Sequence, residues 1–372
     1  VSGQFEAALD RAHLKVSSGA FDYKSAVKSA VDSLADTMKY VTYPTGHTDT
    51  LEVACRRAVL TGVNQTGAKL QVARADEMGV EFFETTAHGG ARPSHAEWQG
   101  RQFHRGGAVD YMGKHYPDFE AATAYGTGAG LCGWNCRHTF FAIFPELGAP
   151  PAWTQESLEA LNARDIEYNG GRYTRYEISQ MQRARERTVR KYKRRYLAED
   201  AAGADTTASA VKLRQARQKL SDFISATGGR ADSARTSVAG FGRSEAGKAS
   251  YTARKQERFD SANVELQQMR EAGTIKAKGK LIESPPAPNE INFASEHVLQ
   301  RWAERGMGPM DAERIIRSSK VAMSQRNGTQ TCYYSEYGFV AIGQNGNVSS
   351  IGPLDEGGQK LMEVVKKHGI PH

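Results

Sequence analysis

At 372 residues the chain is long enough for two or three domains, and 39% hydrophobic residues allow a sizeable core. No apolar run approaches the roughly 18 residues that cross a bilayer, and the opening Val-Ser-Gly-Gln-Phe-Glu has neither the basic nor the apolar region of a secretion signal. The formal charge of +7 favours polyanionic partners, while four cysteines are too few for a disulfide scaffold and fit synthesis in a reducing cytoplasm.

In chain order, Ala26, Val27, Ala30, Val31 and Leu34 recur at helical spacing before Tyr40-Val-Thr-Tyr-Pro-Thr-Gly breaks the pattern. A second helix is expected over 49–78, with Leu51, Ala54, Cys55, Ala58 and Val59 on one face. Val80-Glu-Phe-Phe-Glu-Thr-Thr reads as a strand. From there to Pro151 the density of Gly, Pro, Trp and other aromatic residues predicts short strands and long ordered loops. Residues 172–225 return to helix as a hairpin. Within 172–195, ten Arg or Lys stand against Glu177 and Glu186, a net +8. The stretch 228–256 is rich in Gly, Ser, Ala and Arg and offers little core. One helix fits 257–272, and Ala277 to Asn289, with Pro-Pro-Ala-Pro, reads as a linker. Beyond it, helices are expected at Glu296–Arg305 and Met310–Lys320. Strands follow at Gln330–Ser335, Phe339–Gly343 and Asn347–Ile351, the last two joined at the hairpin signal Asn345-Gly346. A terminal helix fits Glu356–His368. The expected class is α+β: a helix-rich domain with a small irregular β region and a basic helical hairpin, linked to a small α+β domain.

Three groups of residues have the chemistry for a site. Cys132, Cys136 and His138 lie within seven residues, with His95 or His88 available as a fourth zinc ligand. The plainer reading makes the cysteines small buried hydrophobes and the histidine a partner for buried backbone, with no cofactor. Ser94 beside His95 is not a nucleophile–base pair, because neighbours in an extended segment point to opposite faces. On the basic hairpin, Arg183, Arg187, Arg190, Lys191 and Arg194 are candidates for phosphate contact, which gives affinity without sequence preference. The alternative is a solvated helix face. Near the C-terminus, His297, Arg301 and Arg305 are spaced to share one helix face. An acid/base and fixed cations are what metal-independent RNA cleavage by the 2′-hydroxyl requires, and Tyr334 and Ser350 are expected to help position the phosphate. The alternative is ordinary helix surface. No phosphate-binding P-loop, dinucleotide fingerprint, zincin motif or EF-hand loop is present.

The segments Thr86-Ala-His-Gly-Gly-Ala-Arg-Pro-Ser-His-Ala-Glu-Trp-Gln-Gly-Arg101 and Gly130-Leu-Cys-Gly-Trp-Asn-Cys-Arg-His-Thr-Phe140 resemble the phage minor capsid protein 2 family, which is similar to Mu-type head-morphogenesis proteins. The resemblance extends over about 1–245. It implies a minor head component of the virion near the portal vertex, made in the bacterial host cytoplasm and tied to assembly, DNA packaging or ejection. Its expected partners are the portal, other head proteins and packaged DNA, with no membrane. Because the first signature segment begins near residue 86, the resemblance also implies that a longer N-terminal region is missing. Residues 291–372, with Ser295-Glu-His297 followed by Arg301 and Arg305, resemble small nuclease toxins of the barnase–EndoU–colicin–RelE class. That implies a ribonuclease carried by the virion, with RNA as substrate. The expected organisation is therefore a head domain at 1–245, a linker with one helix at 246–290 and a ribonuclease-like domain at 291–372. The alternative is a structural or DNA-binding virion protein with an inert C-terminal domain.

Overall fold

The computed structural model describes residues 2–43, 45–288, 290–293 and 296–371 and, within them, all side chains but those of residues 2, 296–298 and 301. The chain divides into two compact units, one of 1–204 and 212–246, the other of 205–211 and 247–372.

The first unit opens with three helices, α1 (Ser2–Ser17), α2 (Tyr23–Leu34) and α3 (Leu51–Met78). A short ribbon of β1 (Tyr40–Thr42) and β2 (Thr48–Thr50) joins the last two. The apolar spacing read from the sequence is the buried face of α2: Ala26, Val27, Ala30, Val31 and Leu34 pack on Leu51, Cys55 and Val59 of α3. Asp22 caps α2 by accepting from the Lys24 and Ser25 amides. Helix α3 stops where Gly79 takes a left-handed conformation and its amide bonds back to Ala75 and Asp76.

A three-stranded antiparallel sheet follows, ordered β4 (Gln102–His104), β3 (Phe82–Thr85), β7 (Phe140–Ala142). Between its strands lie the one-turn helix α4 (Pro93–Ala96), the hairpin of β5 (Val109–Tyr111) and β6 (Lys114–Tyr116), and α5 (Phe119–Thr123). Phe83, Phe103, Phe119, Phe140 and Trp98 form the core here, and Cys132 and Cys136 are packed into it. Glu84, on the central strand, is 1% exposed. Its carboxylate accepts from Gln102 Nε2 and the Ala152 amide, both at 2.7 Å.

Helix α6 (Gln155–Asn162) and the ribbon β8 (Ile166–Tyr168), β9 (Gly171–Tyr173) lead into the basic helix α7 (Arg175–Ala201), which begins at a Thr174/Glu177 capping box. Helix α8 (Thr207–Thr227) returns. The turn between them is short, because α7 runs on to Ala201 and α8 begins at Thr207.

The second unit differs from the expected linker-plus-domain arrangement. A helix, α9, covers Arg243–Glu271, beginning well before the expected residue 257. The segment 247–283 contributes to the core of this unit: Phe259, Ala262 and Leu266 of α9 and Leu281 of β10 (Lys280–Glu283) pack with Val321, Met323, Cys332 and Leu361. The Ala-rich sequence looked coreless because its contribution is small residues, with Ala249, Ala253 and Ala262 all buried.

Helices α10 (Glu296–Arg305) and α11 (Pro309–Ser318) precede β11 (Val321–Gln325), β12 (Gln330–Ser335), β13 (Gly338–Gly343), β14 (Val348–Gly352) and α12 (Glu356–Lys367). The five strands make an antiparallel meander in the order β10-β11-β12-β13-β14. Its two faces bury different helices. Leu281, Met323, Cys332, Tyr334 and Ala341 meet α9 and α12, while Ala322, Tyr333, Val340, Ile342 and Ile351 meet Trp302 of α10 and Ile315 and Ile316 of α11. Among the described residues, no helix is long and apolar enough to cross a membrane.

Candidate functional site

The two signature segments come together in the first unit. Pro93 starts α4, the preceding Arg92 being extended, and this short helix aims His95 at the loop before β7. The loop is tightly folded. A Cβ on Gly130 would lie 1.9 Å from the Ala124 carbonyl oxygen, and one on Gly133 would lie 2.5 Å from that of Gly128. Cys132 and Asn135 take positive φ, 59° and 55°. That conformation costs a cysteine about 1–2 kcal/mol.

Cys136 Sγ lies 3.7 Å from His95 Nδ1 and 3.6 Å from His138 Nδ1. All three residues are buried, and their ligating atoms lie within 4.8 Å of one another. The opposite ring nitrogens are held by acceptors. His95 Nε2 donates to the Ala129 carbonyl at 2.9 Å, and His138 Nε2 donates to Gln99 Oε1 at 3.0 Å. The Gln99 amide orientation follows from the His88 backbone N–H, which also donates to Oε1, at 3.1 Å. Both Nε2 atoms therefore carry the ring proton, and both Nδ1 lone pairs face the thiol.

Burial and the neighbouring His88 and His95 push the His138 pKa down to about 3. Burial lowers that of His95 as well, with Arg92 and His88 adding to it. The rings are neutral. Burial raises the Cys136 thiol pKa, so the protein alone does not supply the thiolate that a nucleophile needs. His88 stacks on His138 with centroids 4.3 Å apart. Its Nδ1 lies 3.2 Å from the Gly89 carbonyl, and its Nε2 is buried without a partner among the described residues.

The expected ligand set changes in one member. Cys132 donates its thiol to the His138 carbonyl at 3.5 Å, and among the described residues it is absent from the converging group. Gln99, fully buried, is the residue that sequence reasoning missed. It sits inside the first signature segment, but nothing in its type marks it as the acceptor that orients His138.

His88, His95, Cys136 and His138 line a cavity of about 1100 Å³. Seven arginines and Lys24 line it against a single acid, Asp232. Asp232 is 3.4 Å from Arg235, and Arg57 pairs with Asp49 at 2.7 Å. Among the described residues, Arg137 and Arg183 pair with no carboxylate. Burial lowers the pKa of both, and Arg235 beside each adds to the effect. Trp134 stands 61% exposed on the wall of this cavity.

The cations of α7 do not form the expected outward face. Arg190 is buried and donates to the Arg235 carbonyl, and Lys193 donates to that of Thr236 at 2.6 Å. Arg194 pairs with Glu52 at 2.5 Å. Arg185 stacks over Phe223, its guanidinium carbon 3.9 Å from the ring centroid. Of the five candidate phosphate contacts, Arg187 and Lys191 are exposed and Arg183 lines the cavity. Arg190 and Arg194 instead hold the fold together.

In the second unit two of the expected catalytic residues, Tyr334 and Ser350, lie on the face of the sheet that α10 does not cover. His297 and Arg301 lie on α10, and their side chains fall outside the described residues. Arg305 donates to the Ile351 carbonyl. Tyr334 is buried on the opposite face of the sheet, against α9 and α12, and burial raises its pKa far above the ordinary range. Ser350 pairs with Ala341, which belongs to that same face. The strand period thus separates Tyr334 and Ser350 from α10 by the thickness of the sheet.

A family model described as phage minor capsid protein 2 matches residues 1–225. The chain belongs to that family: it is a phage head protein, a component of the virion that associates with other head proteins. No curated protein and no solved structure matches the chain.

Proposed function

We propose that this minor head protein acts near the portal vertex and contacts packaged DNA, with the arginine-lined cavity of the first unit as the phosphate-binding surface. The observation that carries this reading is the imbalance of seven arginines and a lysine against Asp232, in a cavity that also presents an exposed Trp134. Arg137 and Arg183, which pair with no carboxylate among the described residues, repel the cations beside them, and phosphates relieve that repulsion. An exposed indole beside them adds a stacking surface that accepts any base. The position near the portal rests on the resemblance of the signature segments to head-morphogenesis proteins.

The test is binding of the full chain to DNA of unrelated sequences across a salt series. Neutralising Arg137, Arg183 and Arg230 to Gln should weaken binding to all sequences alike and lower the salt slope by about one per lost phosphate contact. Equal affinity of variant and wild type at every salt concentration would remove DNA from this surface.

A ribonuclease activity in the second unit is the second reading. It is supported by the resemblance of the Ser295-Glu-His297 segment with Arg301 and Arg305, followed by α11 and four antiparallel strands, to small nuclease toxins. On this reading His297 and Arg301 carry the chemistry without Tyr334 or Ser350. The full chain should cleave RNA in the presence of a chelator, and His297→Ala should abolish the cleavage. Background-level cleavage by both proteins across pH 5–8, around the ordinary histidine pKa, would leave the C-terminal unit inert.

A further inference from the structure

We propose that His95 Nδ1, Cys136 Sγ and His138 Nδ1 bind one zinc ion, which ties the first signature segment to the second. Four features of the site support this.

The first is spacing. With zinc bonds of about 2.3 Å to sulfur and about 2.05 Å to nitrogen, tetrahedral geometry puts a sulfur and a nitrogen ligand about 3.6 Å apart. The two sulfur–nitrogen separations here are 3.7 and 3.6 Å. The two sulfur–nitrogen edges already match those of a zinc tetrahedron, and all three ligand atoms lie within 4.8 Å of one another.

The second is the tautomer. A metal-bound imidazole commonly donates its other N–H to a carbonyl or carboxylate, which orients the ring. His95 does so to the Ala129 carbonyl and His138 to Gln99 Oε1. Each ring is thereby left with its lone pair on Nδ1, the nitrogen near Cys136 Sγ.

The third is satisfaction of buried polar atoms. One S–H can donate to only one of two Nδ1 acceptors, so without a metal one buried lone pair lacks a donor. On binding zinc, the thiol gives up its proton to solvent and three metal–ligand bonds replace one weak hydrogen bond. Zn²⁺ with one thiolate and two neutral imidazoles leaves a net charge of +1 on the site.

The fourth is the open position. Three protein ligands leave one coordination place, and all three line the cavity. A water molecule can complete the set. Two histidines and one cysteine also make blue-copper sites when a distant axial Met is added. Gln or a backbone oxygen serves as that axial ligand too, so copper rather than zinc in the purified chain would overturn the assignment.

The test uses the purified full chain. Metal analysis should return about one zinc per chain, the content of a single site. Cys136→Ser and His138→Ala should lose it, whereas Cys132→Ser should keep it. Gln99→Ala should retain the ligands but weaken zinc binding by about 10–100-fold, as expected for a residue that orients a ligand. Because a ligand variant can fail to fold, the wild type is also stripped with a chelator and reloaded with Co²⁺ alone. A thiolate-to-cobalt charge-transfer band supports the site. Absence of that band together with no stoichiometric zinc in folded wild type would overturn the proposal. So would loss of zinc from a folded Cys132→Ser as complete as from Cys136→Ser. Neither result depends on DNA binding.

Discussion

A single methyl group decides whether the second signature segment can form. At Gly130 it would collide with the Ala124 carbonyl oxygen at 1.9 Å, against backbone that cannot move aside. Gly130→Ala should therefore destabilise the first unit by more than about 4 kcal/mol, the range of severe backbone conflict. At Gly67, within α3, a methyl would have nothing within 4 Å of it. Gly67→Ala should stabilise by about 0.5–1 kcal/mol. Urea unfolding of the two variants checks both signs at once. At this scale the sequence was partly legible. His95, Cys136 and His138 stand out by residue type, and their convergence follows from compact loops around them. The roles of Cys132 and Gln99 depend on a left-handed turn and on a carbonyl shared by two donors, and neither has a compositional signal.

Whole elements were legible where one face is apolar and the other polar. Helix α2, the hairpin at Asn345-Gly346 and the helices flanking the C-terminal sheet fall where periodicity puts them. Two elements misled for physical reasons. Charge counting sees ten cations along 172–195 but cannot see that Arg190 and Lys193 satisfy backbone carbonyls. Composition sees small residues before 257 but not that alanines allow α9 to pack closely. Strand β10 is held by pairing with β11, about forty residues later, which no local pattern reports. If α9 is core rather than linker, Leu266→Ala should cost the second unit about 2–5 kcal/mol, as large-to-small core substitutions do. Hydrogen exchange of the β11–β13 amides should accelerate accordingly. Unchanged protection would show that the sheet does not depend on α9.

For the molecule as a whole, the formal charge of +7 is a poor guide to the charge available to a partner. Much of the cationic inventory of α7 is internally bonded, and the cavity concentrates cations contributed by distant parts of the chain, from Lys24 to Arg235. The salt dependence of DNA binding should accordingly track the cavity and exposed residues such as Arg187 and Lys191, and fall well short of one released counterion for each basic residue of the run. The chain divides into two units at 246/247, with 205–211 joining the second. The placement of 247–283 in the second core was not legible in the sequence, because it depends on contacts made only once the sheet exists.

The hairpin of β5 and β6 has an evolutionary consequence. It turns through Met112 and Gly113, both at positive φ, and Met112 is 66% exposed with open space beside Gly113. This tip lies in the chain between the two signature segments but takes no part in joining them. Insertions and deletions are tolerated at such exposed tips. Across related head proteins, then, the number of residues separating the two signatures is free to drift while the geometry of His95, Cys136 and His138 stays fixed. A search that demands a constant gap between them would discard true relatives.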